Sequence, residues 1–92
     1  MDTKNEIVTH LLDKDTEYFR KLYSDHENML KSIALKLNGS KIYSENLISE
    51  VFKELWDSPQ YFKASSDTKI STFLMKRVVY NHVYYQRYLK KE

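Results

Sequence analysis

A chain of 92 residues, 41% hydrophobic and 30% charged, is expected to form one domain over residues 1–92 around one core, and its single Gly and single Pro leave little material for hairpins, barrels or long structureless loops. It holds no Cys, so disulfides and thiolate metal sites are excluded and nothing calls for an oxidising compartment. No apolar run approaches the roughly 18 residues of a membrane span, and the opening MDTKNEIVTHLL is too acidic and too short in apolar core for a signal peptide. The expectation is a soluble, cytoplasmic protein.

Periodicity and caps predict four helices, and no stretch alternates apolar with polar as a half-buried strand should. The first is short: Thr3 and Glu6 have the spacing of a capping box, and Ile7, Val8, Leu11 and Leu12 follow on one side. Isolated helices of that length are marginal in water, so it must dock to persist. The second begins at Asp15 or Thr16 and carries an apolar stripe of Phe19, Leu22, Tyr23, Met29, Leu30, Ile33, Ala34 and Leu37. It stops at Asn38-Gly39, where the only glycine suits a left-handed C-cap.

The third helix is expected to start after an N-cap at Ser44 and to end before Pro59. Leu47, Ile48, Val51, Phe52, Leu55 and Trp56 form adjacent apolar pairs recurring every four residues. Asn46, Ser49, Glu50, Lys53, Glu54 and Asp57 occupy the opposite side, leaving one face for a core and one for solvent or a partner. A loop, SPQYFKASSDTK, comes next; Tyr61 and Phe62 are expected to fold back onto the bundle, and Ser65, Ser66, Asp67 and Thr68 to cap the last helix. That helix runs from about Ile70 to about Leu89. Ile70, Leu74, Val78 and Tyr85 share a narrow core-facing side, while Lys69, Lys76 and Arg87 fall on the far side, flanked by Phe73, Tyr80, Val83 and Lys91. The architecture is all-α: a three-helix bundle with a short additional N-terminal helix.

Charge is unevenly spread. Residues 69–92 hold Lys69, Lys76, Arg77, Arg87, Lys90 and Lys91 against Glu92 alone, a net +5 that leaves −3 on the rest of the chain. Four of the eight Tyr (Tyr80, Tyr84, Tyr85 and Tyr88) crowd this basic stretch, with one or more of Tyr84, Tyr85 and Tyr88 expected to be partly buried. A phenol offers a flat face for an unstacked base and a neighbouring Lys or Arg neutralises phosphate, so the last helix is a candidate nucleic-acid surface; the plainer alternative is a solvated basic terminus. Catalysis and metal binding find little support. His10, His26 and His82 lie on three different helices without a second ligand at helical metal spacing, and Asp13 and Asp15 lack the glycine and trailing Glu of a calcium loop. No enzyme activity, metal or cofactor is expected.

The stretch Ser44-Glu45-Asn46-Leu47-Ile48-Ser49-Glu50-Val51-Phe52-Lys53-Glu54-Leu55-Trp56 resembles the "AEDLVQEVFLKLW" signature of conserved region 2 in bacterial ECF (extracytoplasmic function) RNA polymerase sigma factors, at Glu45, Leu47, Glu50, Val51, Phe52, Leu55 and Trp56. Upstream, Phe19-Arg20-Lys21-Leu22-Tyr23 with Ile33-Ala34 is similar to the family's "F..LY......V...A". Downstream, Phe62-Lys63, Thr72-Phe73-Leu74 and Arg77-Val78-Val79-Tyr80-Asn81 are similar to "F......TWLYRIARN", so the likeness covers about residues 16–88.

The resemblance implies a transcription-initiation domain whose third helix docks on the clamp helices of core RNA polymerase through Asn46, Ser49 and Glu50. It implies further that the minus-ten promoter element, as melted nontemplate strand, is held by Ser65, Ser66 and Asp67 of the loop together with Lys76, Arg77, Tyr80 and Asn81; Arg87, on the basic side of the same helix, is a further DNA-binding candidate. Asn46 and Ser49 stand where the family usually has Asp and Gln, which removes a charge and shortens an arm at the expected polymerase face. A second reading is a helical protein-interaction module captured by an anti-sigma-type regulatory partner without direct DNA reading. A helix-turn-helix reader of duplex DNA fits poorly, because the loop before the basic helix far exceeds that motif's usual turn of roughly 3–4 residues.

Overall fold

The computed structural model describes residues 2–89, and every regular element among them is helical. Helix α1 (Lys4–Leu12) begins with the expected capping box: Thr3 Oγ1 accepts from the Glu6 amide, and the Glu6 carboxylate accepts from the Thr3 amide at 2.9 Å. Ile7, Val8 and Leu11 are buried, whereas Leu12, one 100° step further round, stays exposed. Lys14 then adopts a left-handed conformation, φ 57°, and turns the chain into α2 (Thr16–Asn38). Asp15 caps α2, accepting from the Tyr18 amide at 3.1 Å. Gly39, φ 89°, closes it.

Helix α3 (Lys41–Asp57) starts one turn earlier than its apolar pattern suggests. Ser40, not Ser44, is the N-cap: its hydroxyl accepts from the Tyr43 amide at 3.2 Å, directly after the left-handed glycine. Ser44 is buried inside the first turn and donates back to the Ser40 carbonyl at 2.7 Å. The added turn leaves Ile42 largely exposed.

The expected loop contains a further short helix, α4 (Gln60–Ala64), opened by Pro59, whose fixed φ and missing N–H suit a helix start. Phe62 folds back as expected and is fully buried; Tyr61 points outward. Helix α5 (Ile70–Tyr84) has Lys69 as its N-cap with no side-chain cap bond, so the expected capping by Ser65 to Thr68 is not what the loop does. Asp67 is otherwise engaged, as described below. The chain continues from α5 as a π-helical turn, Tyr85–Leu89. The basic residues Lys90 and Lys91, and Glu92, lie outside the described residues, as does the burial of Tyr88.

Helices α2, α3 and α5 pack against one another, and α1 and α4 close one end. The centre is Leu30, Ala34, Leu47, Ile48, Val51, Phe52, Leu55, Leu74 and Val78, all nearly or fully buried. Phe52 carries the aromatic part of the core, with Tyr23 at 4.3 Å and Phe19 edge-on at 6.0 Å between ring centroids. Phe73, expected on the far side of the basic helix, is buried instead: α4 covers it, and its ring meets Phe62 at 5.1 Å. Leu37, in the last turn of α2, is exposed at the rim of the stripe rather than buried.

Candidate functional site

Two surfaces carry the residues singled out from the sequence. The first is the polar side of α3. Asn46, Ser49 and Glu50 are all exposed on it. Asn46 and Glu50 rim a cleft of about 580 Å³ that also takes in Tyr43, Leu47 and Tyr85. Ser49 faces the other flank, beside a groove lined by Phe19, Tyr23 and Trp56. The three residues thus form a polar ridge between two largely apolar hollows, an arrangement suited to a partner helix that straddles the ridge.

The second surface lies where α5 meets the α4–α5 loop and the last turns of α3. An open cleft of about 690 Å³ is lined by Tyr61, Ser65, Tyr80, Tyr84 and Tyr85, with Glu50, Glu54, Arg77 and Asn81 among its charged and polar groups. Tyr80 is 57% exposed, and the Arg77 guanidinium lies over its ring at 4.6 Å. Flat aromatic faces next to a guanidinium give a base a place to stack and its phosphate a counter-charge. Burial, and secondarily the neighbouring carboxylates of Glu50 and Glu54, push the Tyr85 phenol above the ordinary tyrosine range, so it stays a neutral hydrogen-bonding group here.

Two of the basic residues here, Arg77 and Lys76, are already paired. Arg77 grips Glu54 through Nε (3.2 Å) and Nη2 (3.1 Å to each carboxylate oxygen), a forked arrangement only a guanidinium provides. Asn81, only 7% exposed, donates its amide to the same carboxylate at 3.2 Å and to the Arg77 carbonyl at 2.9 Å. Glu54 is therefore the hub that joins α3 to α5. The sequence placed it merely on the solvent side of its helix, and nothing in a 3.6-residue period could join it to residues 23 and 27 positions away.

The loop is equally occupied. Lys76 Nζ meets the Asp67 carboxylate at 2.8 Å. The Ser65 hydroxyl donates to the Phe62 carbonyl at 2.8 Å, and Ser66 is exposed. Lys69 and Arg87 are exposed as expected, but Arg87 sits in the π turn, where the 100° step that aligned it with Lys69 and Lys76 no longer holds. A residue that sequence reasoning missed altogether is Lys4: its ammonium donates to the carbonyls of Ser65 (2.7 Å) and Asp67 (2.8 Å).

The histidines have local partners. His10 Nδ1 is 3.0 Å from the Asp15 carboxylate, His26 Nδ1 donates to the Leu22 carbonyl at 2.8 Å, and His82 Nδ1 lies 2.8 Å from the Tyr43 hydroxyl. Among the described residues no three His, Asp or Glu side chains gather as a metal site, and no helix is long and apolar enough to cross a membrane.

Comparison with known proteins adds one family. Its model, described as Sigma-70 region 2, matches residues 22–91. No curated protein and no solved structure matches the chain.

Proposed function

Since the chain belongs to the sigma-70 region 2 family, a sigma-factor domain of RNA polymerase binding and promoter recognition, we propose that it is an ECF-type module that docks on the clamp helices of core polymerase and holds the minus-ten element as melted nontemplate strand. The α3 ridge of Asn46, Ser49 and Glu50 is the docking face, and the cleft between α5 and its preceding loop takes the strand. The observation that carries the reading is the stack of Arg77 on an exposed Tyr80 at the mouth of an aromatic-lined cleft. Lys76, Arg77 and Arg87 supply charge, Tyr80 a stacking face, and Ser65, Ser66 and Asp67 the edge of the channel. Asn81 sits at the cleft's base, where its amide braces Glu54, so any base it reads must come down to it. A family role of this kind involves no catalysis by the domain itself.

Fluorescence anisotropy with a labelled nontemplate strand, at several salt concentrations, tests the strand-binding half. Tyr80→Ala is expected to lose about 1–3 kcal/mol of binding, and duplex of the same sequence to bind more weakly than the single strand. Glu50→Lys tests the docking half. It should leave circular dichroism unchanged and reduce capture of core polymerase, because a ridge carboxylate is replaced by the opposite charge. One observation favours the second reading, a protein-interaction module held by an anti-sigma-type partner: Lys76 and Arg77 are both already neutralised within the chain. Equal binding of duplex and single strand, with no loss for Tyr80→Ala, would put that reading first.

A further inference from the structure

We propose that Lys4, on the helix that precedes the family-matched segment, is a positioning residue for the strand-binding loop. The proposal rests on the strand-binding reading above, but it is carried by a separate set of contacts. The matched segment begins at residue 22, so α1 lies outside it. Yet the Lys4 ammonium crosses to the loop, donating to the main-chain carbonyls of Ser65 at 2.7 Å and Asp67 at 2.8 Å, and lies over the Phe62 ring at 4.9 Å. A third neighbour is the Ser65 hydroxyl, at 3.5 Å.

Two carbonyls two residues apart can converge on one cation only if the intervening backbone curls around it. Lys4 therefore selects one loop conformation out of the many that a segment of Ser, Ser, Asp and Thr could adopt. That curl also fixes where Asp67 stands. Its carbonyl is held by Lys4 and its carboxylate by Lys76 of α5, so the loop is pinned between the first helix and the basic one. The anchor at the other end is firm, because Ile7, Val8 and Leu11 hold α1 in the core and the capping box fixes the turn that carries Lys4. Lys4 itself is spent on carbonyls rather than on solvent-facing phosphate. Its contribution to strand binding is order, supplied before the strand arrives.

The experiment compares the full chain with Lys4→Met, which keeps the unbranched side chain as far as Cε without the ammonium, and Lys4→Arg, which restores donors for both carbonyls. Backbone 15N order parameters at Ser66, Asp67 and Thr68 report the loop directly and need no ligand. Anisotropy with a labelled nontemplate strand reports its consequence. Lys4→Met should lower those order parameters and weaken strand binding roughly five- to tenfold, the cost of ordering about one more residue on binding. The slope of log K against log salt should not change, and Lys4→Arg should recover most of both effects. A slope lowered by about 0.7 would mean that Lys4 touches a phosphate itself and would overturn the positioning role. So would loop order parameters in Lys4→Met equal to wild type, or unchanged strand affinity despite a looser loop. A wild-type chain that binds no single strand overturns the strand-binding reading and this proposal with it; a wild type that binds, beside an indistinguishable Lys4→Met, overturns the proposal alone.

Discussion

Individual side chains in this protein are defined as much by what they already hold as by what they could reach. Lys76 looks like a free phosphate ligand in the sequence, yet its ammonium rests on Asp67. A strand phosphate must displace that carboxylate, so the exchange releases little net counter-charge. Asp67→Asn, which keeps an oxygen for the Lys76 ammonium but removes the charge, should then steepen the salt slope by about 0.7, one newly uncompensated phosphate contact; an unchanged slope would place Lys76 outside the strand's path. Asp15 shows the same principle in the scaffold. Its carboxylate accepts from the Tyr18 amide and pairs with His10, and these bonds, the amide first, hold it below the ordinary aspartate range. A depressed folded value stabilises the protein above the unfolded value, near pH 3.9, and that stabilisation fades as pH falls through the lower folded one. The gap between the thermal melts of wild type and Asp15→Ala should therefore be larger at pH 5, roughly a unit clear of the unfolded value, and shrink as the solution is acidified below that value.

Elements with long apolar stripes were legible from the sequence, and those set by tertiary contact were not. The stripes of α2 and α3 repeat over several turns, so Leu30, Leu47, Ile48, Val51, Phe52 and Leu55 could be placed in the core without coordinates. Phe52→Ala should cost about 3–5 kcal/mol in a denaturant titration, because its ring is fully enclosed between Tyr23 and Phe19 and a cavity would remain; a loss below about 1 kcal/mol would contradict its central place. The five-residue helix α4 is too short to show a period, and missing it also misplaced Phe73, which is apolar on a helix face that looks exposed until α4 lies over it. The start of α3 was read from the first apolar pair. Ser40 and Ser44 are both competent caps by composition, and the left-handed turn at Gly39 decides between them by delivering the chain to Ser40 first. Of the candidate site, the residue types were legible and their pairing was not: the basic and aromatic members lie on one helix, but Glu54 and Lys4 come to them from elsewhere in the chain.

At the scale of the whole molecule, the two proposed faces share a frame. Glu50 and Glu54 are one turn apart on α3, the first on the polar ridge and the second gripping Arg77 and Asn81 of α5. The α1–α2 turn is tied to the far end of the same helix, where the Lys14 ammonium donates to the Trp56 carbonyl and lies over the indole at 4.6 Å. A partner on the proposed α3 face would therefore stand on the same helix that anchors the proposed strand cleft. The shared carboxylate also constrains descent. Positions 54, 77 and 81 are coupled, since loss of the acid takes a partner from both the half-buried guanidinium and the Asn81 amide, which keeps only the Arg77 carbonyl. The exchange Glu54→Arg with Arg77→Glu should recover much of the stability that either single change removes, as a double-mutant cycle in urea would register, while placing an anion where the proposed strand cleft presents a cation. On the strand-binding proposal, selection for folding alone should tolerate that exchange and selection for strand binding should reject it, so a variant library sorted separately on the two criteria should part company at these positions.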